Sequence, residues 1–202
     1  MDRRRFCISS AAATMSGAAA VLVGWPAAGR SDAPPPPAPA PGVRLHGFVF
    51  DRRYAAARAF GAAAEHVRSD AGLIPIDGDI TGLWSRDLRP RWSAGGGAIA
   101  GMTTARTLFC LEQLAANHWM RAAVRVEHAP SEGNEFAHRL AAPEPMMARL
   151  ESALCAGDWP ARMPAALAAW QGADGALRST RAMGSTRPMA MAHEPLVSFV
   201  IA

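Results

Sequence analysis

Apolar and polar residues alternate through Val43-Arg44-Leu45-His46 and then run apolar to Phe50, which predicts a strand. From Arg52 to Val67 the residues Tyr54, Ala57, Gly61, Ala64 and Val67 recur at the spacing of one helix face. Leu73-Ile74-Pro75-Ile76 predicts a second strand, and Pro75, which has no amide to donate, confines it to an edge or irregular position. A short helix and loop follow between Asp79 and Trp92, ending at Pro90. Ala98 to Met102 predicts a third strand, after which Thr103 and Thr104 can cap a helix running to about Asn117. Leu108, Leu111 and Ala115 form the stripe of that helix. Phe109, Cys110 and Leu114 widen it and predict burial over much of its surface. Met120 to Glu127 reads as a fourth strand.

The second half alternates less clearly. Ala129 to Pro143 reads as a polar loop, and Pro145 and Pro164 suit the first turns of helices reaching about Ala156 and Gln171. Ala176 to His193 reads as an irregular strand or hairpin, and Leu196 to Ile201 as a closing strand. Two strand–helix–strand units in succession predict an α/β fold. The expected form is a small Rossmann-like three-layer domain with a largely parallel sheet of about four to five strands.

Ahead of this domain stands an Ala- and Gly-rich apolar run, Ile8 to Val23, preceded by Arg3-Arg4-Arg5-Phe6-Cys7. The run is shorter than the roughly 20 residues a spanning helix needs. The leader resembles a twin-arginine (Tat) export signal, with Arg3 and Arg4 as the pair, Arg5 at the free position and Phe6 as the aromatic residue. The resemblance covers roughly the first 30 residues of the chain. It implies a Tat translocase partner, folding before transport, and a periplasmic destination. Small residues place the cleavage after Gly29, with Ala33 as the other candidate. Ala33 to Pro41 is dominated by proline and favours an extended polyproline II spacer. The expected organisation is a signal over residues 1–29, a linker over 30–41 and a single domain over 42–202. No segment after the leader is apolar for long enough to span a membrane.

The composition removes several chemistries. All 21 basic residues are Arg, so Schiff-base and lysine general-base mechanisms have no residue to use. Cleavage after Gly29 removes Arg3, Arg4, Arg5 and Asp2, so the formal charge of +4 falls to +2. That is no nucleic-acid footprint, and no arginine cluster interleaves with aromatics. No Gly-x-Gly-x-x-Gly lies between a strand and a helix, there is no phosphate-loop pattern, and no Gly-x-Ser-x-Gly is present. Gly95-Gly96-Gly97 therefore reads as a turn. After the signal, Cys110 and Cys155 remain, and their spacing makes no metal motif. They read as two buried thiols rather than a disulfide.

In open parallel sheets, ligands bind outside the carboxyl ends of the strands. The predicted strands bring Asp51, Asp77, Asp79, Thr103, Thr104, Glu127 and His128 to that edge. Asp51, Asp79 and Thr103 also precede helices, where a side-chain oxygen satisfies a free amide. Glu127 and His128 are not explained by capping. The leading expectation is a small-ligand-binding or accessory module with its site at this edge. An alternative is a carboxylate and histidine enzyme at the same edge, with or without a divalent metal. Another is copper binding by Met189, Met191 and His193, which share one face of a strand at period two. His66, His118 and His138 read as surface or helix-end residues.

The leader yields a direct test. Replacing Arg3 and Arg4 with Lys keeps the charge but removes the paired guanidinium groups. Cell fractionation is then expected to find the precursor in the cytoplasm. Undiminished periplasmic protein would overturn the export assignment.

Overall fold

The computed structural model describes residues 44–67, 71–131, 135–170, 172, 178–186 and 195–202. Its strands are β1 (Leu45–Asp51), β2 (Gly72–Ile76), β3 (Ala98–Thr104), β4 (Ala122–Pro130), β5 (Glu135–Pro143), β6 (Arg178–Thr186) and β7 (Leu196–Ile201). Its helices are α1 (Ala55–Ala64), α2 (Thr81–Leu83), α3 (Arg89–Ser93), α4 (Ala105–Ala116), α5 (Glu144–Leu154) and α6 (Trp159–Ala168). All of them belong to the compact unit Pro41–Ala202. No described helix is long and apolar enough to cross a membrane.

The strands form one seven-stranded sheet in the order β2-β1-β3-β7-β4-β5-β6. β1 pairs in parallel with β2 and β3, while the pairs β3–β7, β7–β4, β4–β5 and β5–β6 are antiparallel. The α/β class holds, but the expected largely parallel sheet of four to five strands does not. Two causes account for the difference. Residues 135–143, assigned to a loop, form strand β5, and β7 inserts between β3 and β4 against the direction of both. Because β7 is antiparallel to each neighbour, β4 still runs with β1, β2 and β3. The carboxyl ends of those four strands therefore lie on one edge.

Helices cover both faces. Phe48, Ala100, Met102, Val124, Val126, Leu140 and Val200 pack against α1, α5 and α6, through Phe60, Leu150, Trp159 and Leu167 among others. Val49, Ile99, Val197, Phe199 and Ile201 pack on the opposite face against Leu83, Leu88, Trp92, Leu108 and Leu111. The alternation of these two sets along β1, β3 and β7 is the period-two signature of strands covered on both sides.

Several helix boundaries depart from expectation for reasons that can be named. The helix after Asp79 does not stop at Pro90. α2 and α3 are joined by a π-helical turn, Trp84–Leu88, with right-handed angles at both junctions. A proline inside a helix removes an amide donor and crowds the preceding turn, and the widened turn ahead of Pro90 relieves that crowding. α6 begins a turn earlier than expected, with Pro160 in its first turn and Pro164 inside it. α4 buries only Thr107, Leu108, Leu111 and Ala115. Phe109 is exposed, and so are Cys110 and Cys155, which corrects the expectation of buried cysteines.

Gly101 shows how tightly the sheet centre is built. A Cβ there would lie 2.5 Å from the Val49 carbonyl oxygen and 2.6 Å from Phe199 Cζ. Phe199 stands directly opposite Gly101 across the β3–β7 pair, so its ring occupies the space that a side chain would need. Gly101→Ala is expected to lower stability by about 1–3 kcal/mol through overpacking, read as a fall in urea midpoint. An unchanged midpoint would show that both the ring and the Val49 backbone give way freely.

Candidate functional site

The carboxyl edge is assembled from the ends of β1, β2 and β3. Asp51 closes β1, and its side chain is fully buried. Arg53, two residues on, donates to it from Nε (2.9 Å), from Nη2 (2.7 Å) and from the backbone amide (3.2 Å). A buried carboxylate is tolerated only when paired and hydrogen-bonded in this way. The Arg53 side chain is 47% exposed, and its guanidinium lies 5.2 Å from the centre of the Tyr54 ring. Gly78, at φ +84°, passes against this guanidinium so closely that a Cβ would collide with it. Glycine is thus required at 78 both for its backbone angle and for the arginine.

Beside this pair, Arg52 and Asp77 form an exposed bidentate ion pair, with one contact at 3.0 Å. The Arg52 hydrogen bond holds the Asp77 carboxyl below its ordinary range. Asp79 accepts from the Thr81 amide at 2.8 Å, which lowers its own pKa. An open groove of about 280 Å³ continues from here, lined by Ile76, Asp77, Asp79, Leu83, Arg86 and Asp87 among others.

On β3, Thr104 caps α4 by accepting from the Thr107 amide at 3.2 Å. Thr103 is buried, and its hydroxyl has no hydrogen-bond partner among the described residues. The β1–β3 register, Phe50 beside Met102, sets Asp51 beside Thr103.

The structure does not bring Glu127 or His128 to this group. Thr103 pairs with Val197, and Val197 with Glu127, so Asp51 and Glu127 lie three strands apart. At about 4.8 Å per strand the separation is roughly 14 Å. Glu127 is paired instead with Arg125 (3.1 Å), which also reaches Glu112 of α4 (3.1 Å). His128 projects from the other sheet face into the α5–α6 core. Among the described residues, no group of three or more histidine, cysteine or carboxylate side chains is placed to hold a metal ion. Met189, Met191 and His193, like Arg3, Arg4 and Phe6, lie outside the described residues.

A second polar cluster lies beneath the sheet. His128 and His138 stand opposite each other on β4 and β5, both buried, with their Nδ1 atoms 2.8 Å apart. His128 Nε2 is 2.8 Å from Ser198 Oγ on β7. The His128 ring stacks on Trp159 at 4.2 Å, and His138 meets the same indole edge-on at 5.0 Å. Burial, reinforced by His138, drives the pKa of His128 well below the ordinary value. Burial lowers that of His138 to about 4. Both rings are therefore neutral near pH 7, and one Nδ1–H donates to the other Nδ1. Ser198 is fully buried, so this chain of hydrogen bonds is a core network with no described approach for a substrate. Sequence reasoning placed His138 on the surface. The available signal was Phe136-x-His138-x-Leu140-x-Ala142, in which the histidine fills an apolar slot.

Comparison with known proteins gives no match to a family model, a curated protein or a solved structure.

The histidine pair predicts a pH dependence. Histidines in the unfolded chain titrate near 6.5, and these two titrate lower when folded, so the unfolded chain gains protons first as pH falls. Their contribution is complete above about pH 6.5 and declines toward pH 4, by roughly 3 kcal/mol for His138 alone. Urea midpoints should already fall between about pH 7 and pH 5, above the range where ordinary carboxylates titrate. A flat profile across that window would show that the pair is not held neutral.

Proposed function

We propose that this is a Tat-exported periplasmic protein that binds a small ligand bearing a carboxylate or phosphate at the carboxyl edge of the sheet. One observation carries the reading: a fully buried Asp51 orients the half-exposed guanidinium of Arg53 at the end of β1. This is also where strand order reverses, since the chain leaves β1 for β2 on one side and reaches β3 on the other. Crevices at such switch points are the usual ligand sites of open α/β sheets. Asp51 holds the Nε and Nη2 side of the guanidinium, which fixes the plane of a half-exposed cation before an anion arrives. Asp79 lines the adjoining groove, while Thr103 is as fully buried as Ser198 and does not line it.

The geometry gives the enzyme reading less support. Asp51 is tied to Arg53, Asp77 to Arg52 and Glu127 to Arg125, and the nearest predicted base, His128, faces the other side of the sheet.

Calorimetric titration with phosphate and with succinate, at constant ionic strength, tests the proposal. Thr103→Val is the control, because it removes a buried unpaired hydroxyl while keeping the shape. Its stability is expected to be unchanged or raised by up to about 1 kcal/mol, with affinity for the responsive anion unchanged. Arg53→Gln should abolish binding and, by leaving Asp51 buried and unpaired, cost about 3–5 kcal/mol of stability. Absence of binding by both anions, or full binding by a folded Arg53→Gln variant, would contradict the site.

A further inference from the structure

The turn after α4 places a large apolar side chain where helices ordinarily use glycine. Trp119 has φ +60° and is 97% exposed. Its amide donates to the Ala116 carbonyl at 3.2 Å, and the Met120 amide donates to Ala115 at 3.2 Å. That is the Schellman pattern, with Trp119 at the left-handed residue. The turn is pinned on both sides. His118 lies 5.6 Å from the Trp84 ring and 6.2 Å from that of Trp92, while Met120 packs against the core cluster that contains Ala115. The indole between them is held outward. A side chain at positive φ strains the backbone, and a solvated indole forgoes burial of one of the largest apolar surfaces. Among the described residues, neither cost is offset by a hydrogen bond or ring contact of that indole.

The surroundings indicate what would offset them. α4 ends at the amino edge of the sheet, opposite the proposed ligand site. Arg121 exchanges backbone hydrogen bonds of 2.9 Å with Ala202 there, and the Arg44 carbonyl accepts from Ala98 at 3.1 Å. Arg91 reaches the same edge, beside Gly97. Arg44, Arg91 and Arg121 are exposed, and none is in an ion pair among the described residues. The chain also enters the domain at this edge, with Arg44 following the proline-rich segment in sequence. One indole covers roughly 150–250 Å², far below the roughly 800 Å² per partner of a stable protein interface. It does match the headgroup level of a bilayer, where tryptophan is favoured and nearby arginines are drawn to anionic lipids.

We propose that the amino edge docks on an anionic lipid surface, with Trp119 inserted at the headgroup level and Arg44, Arg91 and Arg121 facing the lipid phosphates. The carboxyl edge then faces away from the membrane. The proposal does not depend on the ligand site.

The test compares full-length protein with full-length Trp119→Gly on phosphatidylglycerol–phosphatidylethanolamine vesicles whose acyl chains are brominated near the headgroup. Trp25 belongs to the leader and is common to both proteins, so the difference in fluorescence quenching isolates Trp119. Wild type is expected to be quenched more than the variant. The thermal midpoint of Trp119→Gly should be unchanged or raised, because glycine relieves the positive φ. Arg121→Gln should weaken docking on these vesicles and lose its effect on vesicles of phosphatidylcholine alone. Equal quenching of wild type and Trp119→Gly would overturn the proposal. So would a self-association that Trp119→Gly abolishes without any change in lipid quenching, since the indole would then serve a second copy of the chain.

Discussion

The insertion of β7 between β3 and β4 is the constraint on which the rest of the sheet depends. All six of its residues are buried, and both of its hydrogen-bonding edges are used. Val197, Phe199 and Ile201 fill one core, while Leu196 and Val200 fill the other. Without this strand, the parallel β2-β1-β3 group and the antiparallel β4-β5-β6 group have no common backbone ladder. The last strand of the chain therefore completes the middle of the sheet. Such pairing is non-local, and forming it carries the closure entropy of the long intervening chain. It also sets the site geometry, by keeping β4 parallel to β3 while holding Glu127 a strand further from Asp51.

The only polar side chain of β7, Ser198, is met by His128, and this contact ties the strand to the β4–β5 hairpin. A buried network of this kind is costly when partly satisfied and specifying when complete. A one-residue slip of β4 against β7 would turn His128 to the opposite face and leave Ser198 without its partner. The cover is less well satisfied than the pair: Trp159 stacks on His128, meets His138 edge-on and lies tilted against Phe136, but its Nε1 has no partner among the described residues. The stacking position, rather than the indole hydrogen bond, decides where that side chain sits.

Much of this architecture was legible where one periodicity ruled. β1, β2, β3 and β7 are short apolar runs bounded by turn residues, and Thr104 caps α4 where a threonine before an apolar stripe predicts it. The antiparallel half was hidden because β5 carries Glu135, His138 and Arg139, which count as polar unless the neutral, buried state of His138 is known. Strand order was not legible at all, since no local pattern says that Leu196–Ile201 will separate β3 from β4. For the candidate site, β1 and β3 end within one or two residues of expectation, yet Arg53, the partner of Asp51, was overlooked. It sits two residues after Asp51, inside the helix predicted from Arg52 and off its apolar face. Trp119 was missed for a related reason: a tryptophan beyond a helix end gives no sign from sequence that its φ is positive.

Native-state hydrogen exchange tests most directly whether β7 makes the two halves of the sheet one cooperative unit. The account predicts that amides of Val197 to Ile201 exchange only by global unfolding, with the same opening free energy as those of β3 and β4. It would be contradicted if β4, β5 and β6 opened together at a distinctly lower free energy while β1, β2 and β3 stayed protected. The halves would then be separate units, and β7 would belong to only one of them.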